Sequence, residues 1–140
     1  RFVFPHLRKE AERIHAAGAR YGHIMTSGQL PLVGQLIEAG VDVLVGVDPV
    51  QGKGMDFAAL DRVARGRLAL WGGVNGFVTI EQGSQAAVRA ETERALAAFG
   101  DGGGFILSPV DNVRADTSQA WANVRAMIDT WRAWAARARS

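Results

Sequence analysis

Four short runs of β-branched and apolar residues are spaced along the chain, and each is followed by a segment with helical periodicity. These runs, at residues 21–26, 41–47, 68–71 and 105–107, predict β-strands. Their mean separation is roughly 28 residues, close to the ~31 residues per unit of a (β/α)8 barrel. Strands that alternate with helices pair in parallel, so the sequence predicts an α/β fold with a parallel sheet. No linker divides the chain, and residues 1–140 are expected to form one domain.

The helices are predicted from capping residues and from the spacing of apolar side chains. An opening helix over residues 4–17 is expected to stop at Gly18, and Asp56 is a candidate N-cap for a helix that reaches residue 64. The remaining helices are predicted over residues 31–39 and 84–99 and from residue 118 onwards.

The last of these helices carries a row of large apolar side chains. Trp121, Val124, Ile128 and Trp131 recur at spacings of three and four, which predicts one buried stripe. Core packing explains these tryptophans better than stacking on a ligand does.

Composition limits the classes of function. A content of 48% hydrophobic and 21% charged residues is typical of a globular domain. The net charge of +2 with scattered basic residues predicts no nucleic-acid partner, and no apolar run approaches the roughly 18 residues of a membrane span. The first residues lack the pattern of a signal peptide, so a cytoplasmic location is expected. The absence of Cys excludes disulfides and thiolate metal sites.

Polar and glycine-rich segments follow all four predicted strands, and in a barrel they would share the C-terminal face where ligands bind. Asp48 and Asp111 are the candidate catalytic residues because each carboxylate follows a strand. The candidate substrate-binding residues at the same strand ends are Thr26, Ser27, Gly73, Asn75, Ser108 and Asn112.

Each candidate also has a structural alternative. Asp48 can form an Asx turn in the loop over residues 48–54, and Asn75 can make a local turn hydrogen bond. The polar segment over residues 108–112 can cap the final helix, although Asp116 and Thr117 lie nearer to that helix.

Familiar phosphate and metal motifs are absent. Lys53 lies between Gly52 and Gly54, but the remaining positions of a P-loop are not filled, so Lys53 is at most a generic anion contact. His6 and His15 do not share a helix face, and His23 is expected inside the first strand as a core or interface residue.

Four segments in order, GHIMTSG, LIEAGVDVLVGVD, WGGVN and GGGFILSP, are similar to the second half of the uroporphyrinogen decarboxylase family. That family also contains corrinoid-dependent methyltransferases. The resemblance covers essentially the whole chain and implies the C-terminal half of a TIM-type (β/α)8 barrel, with four βα units after an opening helix. The length of 140 residues agrees, because a complete barrel takes about 250 residues.

The sequence departs from both branches at their motifs. Methyltransferases of this family bind zinc through a His-x-Cys-Gly pattern and a later Cys, whereas this chain has Met25 and Ser27 before Gly28 and no Cys over residues 108–112. No metal site is therefore expected. The decarboxylases carry Gly-His-Gly after the last strand, where this chain has Ser-Pro-Val-Asp, so strict porphyrinogen decarboxylation by this half is not expected.

The resemblance implies a decarboxylase-like or methyltransferase-type enzyme that acts on a small molecule once the barrel is complete. No cofactor is expected in this chain, and a corrinoid-carrying partner fits the methyltransferase branch. The alternative is a non-catalytic half-barrel that serves binding or assembly. Because four parallel strands cannot close such a barrel, a second half-barrel or a homodimer is the expected partner.

Overall fold

The computed structural model describes residues 2–138, in which helices and strands alternate. The helices are α1 (Phe4–Ala16), α2 (Val33–Glu38), α3 (Phe57–Ala64), α4 (Gln85–Phe99) and α5 (Ser118–Arg137). The strands are β1 (Gly22–Ile24), β2 (Val43–Val47), β3 (Ala69–Asn75) and β4 (Phe105–Val110), and a π-helix (Gly76–Glu81) directly follows β3. No helix within these residues is both long and apolar enough to cross a membrane.

The four strands form one parallel sheet in the order β1-β2-β3-β4. The α/β fold and the parallel pairing expected from the sequence are thus confirmed. Every strand lies beside its predecessor in the chain, so the connections never skip a position. All four carboxyl ends therefore meet at one edge of the sheet, which we call the carboxyl edge.

The main core lies between one face of the sheet and the helices. Leu44 on β2 is paired in register with Leu70 on β3, and both are buried. The ring of Phe99 on α4 lies 4.7 Å from the ring of Phe57 and 5.2 Å from that of Phe105, measured between centroids. A smaller cluster joins β3, the π-helix, α4 and α5 through Val74, Ile80, Val88, Ala126 and Met127.

The other face of the sheet has no covering layer in the part of the chain that the structure describes. Ile24, Val45, Trp71 and Ile106 are paired in register across the four strands and form one row, which we call the open-face row. Trp71 is 42% exposed and Ile106 is 44% exposed, which is unusual for such large apolar side chains on a central and an edge strand.

Strand β3 is longer than the sequence predicts, because it continues past Trp71 to Asn75. The extension passes through Gly72 and Gly73, whose φ angles of 141° and 102° are disfavoured for other residues. A Cβ atom at Gly72 would lie 2.7 Å from the carbonyl oxygen of Val47, so this close approach of β2 requires glycine. Glycine is depleted in strands, which is why the pattern predicted a loop here.

Strand β4 is also longer, since it runs through Pro109 to Val110. Proline cannot donate a backbone hydrogen bond and is tolerated in an edge strand. β4 is such a strand, because its only sheet neighbour among the described residues is β3. β1, in contrast, has three residues and is shorter than predicted.

The predicted tryptophan stripe of α5 is wrong. Trp121 and Trp131 are 56% and 45% exposed, and the buried side chains of this helix are Ala120, Asn123, Ala126 and Met127. The helix packs through its small residues because these allow a close approach to α4 and the π-helix. Asn123 fixes that contact, since its Nδ2 donates to the carbonyl oxygens of Ile80 and Gly83, each at 2.8 Å.

Two predicted helix boundaries are confirmed. Gly18 follows α1 with a φ of 74°, in the left-handed region that ends helices. Asp56 caps α3, because its Oδ1 accepts a hydrogen bond from the backbone N–H of Ala59 at 3.0 Å.

Candidate functional site

Asp48 and Asn75 meet at the carboxyl edge of the sheet. Asp48 directly follows β2, and Asn75 is the last residue of β3. Nδ2 of Asn75 donates to Oδ2 of Asp48 at 2.7 Å, and both side chains are almost fully buried, with 3% and 1% of their residue surface exposed. A buried carboxylate needs such donors to offset its lost hydration. Two of the residues predicted from strand-end positions therefore form one unit.

The second oxygen of Asp48 orders the loop after β2. Oδ1 accepts from the backbone N–H of Val50 at 2.8 Å and from that of Gln51 at 3.0 Å. This is the Asx turn expected as the structural alternative. The turn uses only Oδ1, and Oδ2 accepts from Asn75. Asp48 therefore forms both the Asx turn and the pair with Asn75.

Asn75 uses every hydrogen-bonding atom of its amide. Besides Asp48, Nδ2 donates to Oε1 of Gln51 at 2.9 Å. Oδ1 accepts from the backbone N–H of Val78 at 2.6 Å and so caps the π-helix. The amide thus joins the β2 loop to the segment that follows β3. Gln51 was not among the predicted site residues, because an exposed glutamine in a loop gives no sequence signal.

Glu91 on α4 was also missed, and it anchors the same segment. Its Oε1 accepts from the backbone N–H of Asn75 at 2.6 Å, and its Oε2 accepts from the hydroxyl of Thr79 at 2.8 Å. One signal was available, since Glu91 lies three residues after the buried Val88 and four before the buried Ala95. A carboxylate on the apolar face of a helix requires buried donors.

The predicted residues at the end of β1 are exposed. Thr26 and Ser27 lie on the surface just beyond the strand. The methyl group of Thr26 packs against β2, where a Cβ at Gly46 would lie 2.9 Å from it. No hydrogen bond links either side chain to Asp48 or Asn75 within residues 2–138.

Gly73 is directed towards the helices. A Cβ at this position would lie 2.9 Å from the Cβ of Ala95 on α4 and 2.9 Å from the ring of Phe105. The missing side chain therefore permits close packing of α4 on β3. Its contribution to a ligand site would be indirect, through the path of the strand.

The predicted residues Ser108, within β4, and Asp111 and Asn112, after it, are not joined to the Asp48–Asn75 pair by any hydrogen bond among the described residues. Asp111 is exposed and has a φ of 67°, and its Oδ1 accepts from the adjacent backbone N–H of Asn112 at 3.0 Å. The hydroxyl of Ser108 donates to the carbonyl oxygen of Pro109 at 3.0 Å. Asn112 is exposed. Asp111 and Asn112 are thus accessible to a ligand, whereas Ser108 is partly buried.

Comparisons with known proteins identify a solved structure with a similar fold. No protein-family model and no curated protein matches the sequence. Among solved structures, a methyltransferase from Methanosarcina mazei is similar, with a TM-score of 0.73 and 20% sequence identity. The match covers 95% of this chain and 36% of that chain.

The chain has the fold of part of a methyltransferase. At this identity the likeness concerns the fold alone. It is consistent with the fold implied by the resemblance noted from the sequence. This chain spans about a third of the length of that methyltransferase.

The metal-ligand pattern of the family's methyltransferases is not reproduced. Met25 packs against the main core and Ser27 is exposed. Within residues 2–138, no three side chains of His, Cys, Asp or Glu are grouped closely enough to hold a metal ion. The available donors therefore do not fit the zinc site of that branch.

A separate polar cluster lies at the opposite edge of the sheet. Asp42, just before β2, accepts from the backbone N–H of Tyr21 at 2.7 Å and from Nη1 of Arg20 at 3.0 Å, and its Oδ2 lies 2.7 Å from Nε2 of His15. Burial alone would raise the pKa of Asp42, but the bonds from Tyr21, His15 and Arg20 outweigh it and hold that pKa below its ordinary value. These contacts connect α1 and the segment before β1 to the start of β2.

Proposed function

We propose that the chain is half of a TIM-type (β/α)8 barrel and contributes to a methyltransferase-type active site for a small molecule. The observation that carries the proposal is the buried Asp48–Asn75 pair at the carboxyl edge, in a fold shared with part of a methyltransferase. Ligands of α/β barrels bind at this edge, where the loops after the strands converge.

The open sheet supports the half-barrel interpretation. The open-face row would be covered if four more βα units continued the sheet around the barrel. Each edge strand is also flanked by an apolar cavity. One of about 460 Å³ lies beside β1 and is lined by Phe4, Leu7 and His23, and one of about 390 Å³ lies beside β4 and is lined by Leu107, Met127 and Trp131.

In this proposal the residues at the strand ends have different roles. Asp111, which is exposed, would move a proton at the heteroatom that carries the methyl group, and Asp48 would supply a fixed negative charge behind Asn75. Thr26, Ser27, Ser108 and Asn112 would hydrogen-bond the substrate, and Gly73 would set the path of β3. A corrinoid-carrying partner would supply the methyl acceptor, and the proposal includes no step through a metal held by this chain.

Transfer of a methyl group to cob(I)alamin, followed by absorbance, tests the proposal. The protein would be assayed with a panel of methoxylated and methylated small molecules, in an oligomer of this chain or in a longer polypeptide that contains it. We expect Asp111→Asn to lower kcat by about 100-fold, as loss of a general acid–base group does. The matched control is Asp129→Asn, an exposed carboxylate on α5.

A binding or assembly module is the second candidate, and one observation favours it. The hydrogen-bonding atoms of Asn75 and both oxygens of Glu91 are fully occupied within the protein, as in a structural network. If no methylated compound reacts, and Asp111→Asn changes neither binding nor assembly, the site is structural and the methyltransferase proposal fails.

A further inference from the structure

Another cavity, apart from the two beside the edge strands, lies between the loop after β4 and the first turns of α5. It has a volume of about 270 Å³, and Val113, Ala120 and Val124 form its apolar part. Trp121 lines the same space and is 56% exposed, which leaves much of its indole surface in contact with solvent. Arg114, Ala115 and Asp116 complete the lining. An open cavity with one aromatic ring and few charged groups is typical of a small-molecule site.

Hydrogen bonds from Glu81 and between two of the lining residues order the wall of this cavity. Oε1 of Glu81, the last residue of the π-helix, accepts from the backbone N–H of Arg114 at 2.5 Å and from that of Ala115 at 3.3 Å. Asp116 fixes the tryptophan ring, because its Oδ1 accepts from the indole N–H of Trp121 at 2.8 Å. A ligand would therefore meet a largely preformed wall, which lowers the entropic cost of binding.

The guanidinium group of Arg114 is the charged group left open at the cavity. It makes no hydrogen bond, ion pair or aromatic contact with any residue from 2 to 138, although the backbone of the same residue is held by Glu81. The carboxylate of Asp116, by contrast, has one oxygen engaged by Trp121. A guanidinium fork pairs with a carboxylate through two parallel hydrogen bonds.

We propose that this cavity binds a compact ligand with a flat apolar body and one carboxylate group. The apolar body lies against the indole of Trp121, and the carboxylate pairs with Arg114. None of the lining residues belongs to the Asp48–Asn75 pair or has a role in the proposed methyl transfer, so the inference does not depend on that transfer. A failed methyl-transfer assay would therefore leave this inference standing.

The test uses benzoate as the probe and the indole N–H signals in a ¹H–¹⁵N NMR spectrum as the readout. The chain has 4 Trp, and the signal that disappears in Trp121→Phe identifies the relevant one. We expect benzoate to shift this signal saturably with a millimolar Kd, while benzyl alcohol and benzylamine, of similar size but neutral and cationic, bind at least about fivefold more weakly.

Substitutions of Arg114 test whether its charge, and not the folding of the chain, determines benzoate binding. Arg114→Gln should weaken benzoate binding by about tenfold, Arg114→Lys should weaken it less, and Arg89→Gln, an exposed arginine on α4, should leave it unchanged. Dispersion of the remaining NMR signals shows whether each variant is folded. Benzyl alcohol binding as tightly as benzoate, benzylamine binding more tightly, or an unchanged affinity in folded Arg114→Gln would overturn the proposal.

Discussion

Glu91 on α4 holds Asn75, the last residue of β3, by accepting a hydrogen bond from its backbone N–H at 2.6 Å. The same carboxylate reaches Thr79 in the π-helix at 2.8 Å. A residue of the helix layer thus determines where β3 ends and how the π-helix begins. Because the side chain of Asn75 binds Asp48, the position of the candidate site depends on a helix that does not line it.

Replacing Glu91 by Ala should lower the free energy of unfolding by about 1–3 kcal/mol, because the N–H of Asn75 and the hydroxyl of Thr79 lose their acceptor in a largely buried place. Urea denaturation gives the value. Glu93→Ala is the matched control, since Glu93 is exposed on the same helix. Equal effects of the two substitutions would contradict the anchoring role.

Asn75→Asp should convert a hydrogen-bonded pair into two carboxylates separated by about the present 2.7 Å. Like charges at this distance raise the pKa of the pair in the folded state, so the folded protein binds more protons than the unfolded chain. The stability of the variant should therefore fall as pH rises from 4 to 7, relative to the parent protein. Parallel stability curves for the two proteins across this range would exclude close contact of the two side chains.

Asp42 should make the free energy of unfolding depend on pH in the acidic range. Its lowered pKa in the folded state means that its contribution is present above the ordinary pKa of about 3.9 and is lost as pH falls through the folded value. Asp42→Asn should cost about 1–2 kcal/mol near pH 7, and this cost should shrink as pH falls below about 4. Thermal melts at a series of acidic pH values measure this, with Asp129→Asn, an exposed carboxylate in a 3.5 Å ion pair with Arg132, as the control. A cost that is the same at every pH would rule out the charge of Asp42 as its cause.

The open-face row should drive assembly. Because Trp71 and Ile106 lie exposed on one sheet face, we expect the chain to associate with a second copy or with another half-barrel. Ile106→Glu should raise the monomer fraction measured by light scattering, whereas Val50→Glu, an exposed loop position, should not. A folded parent chain that stays strictly monomeric at high concentration would contradict the half-barrel interpretation.

Strand order, helix positions and the meeting of Asp48 with Asn75 follow from patterns that are local in the sequence. Residues at the carboxyl ends of parallel strands lie at one edge of the sheet, whatever the conformation of the loops. The proximity of Asp48 and Asn75 could therefore be predicted. The anchoring by Glu91 could not be read directly, because it depends on the extension of β3 through Gly72 and Gly73. Asp111 is predicted to share the ligand-binding face with Asp48. Its φ of 67° lies in the left-handed region, which Asp adopts more readily than most residues, but the sequence does not show which Asp will do so.

Pro109 determines what the free edge of β4 can bind. The N–H of Leu70 donates to the carbonyl oxygen of Gly104, so residues 106, 108 and 110 direct their backbone groups towards β3, and residues 105, 107 and 109 direct theirs outwards. The outward donor missing at Pro109 leaves the last stretch of this edge unable to template a further strand completely. A strand that continues the sheet at this edge, as the half-barrel interpretation requires, would therefore receive outward N–H donors from Phe105 and Leu107 but not from residue 109.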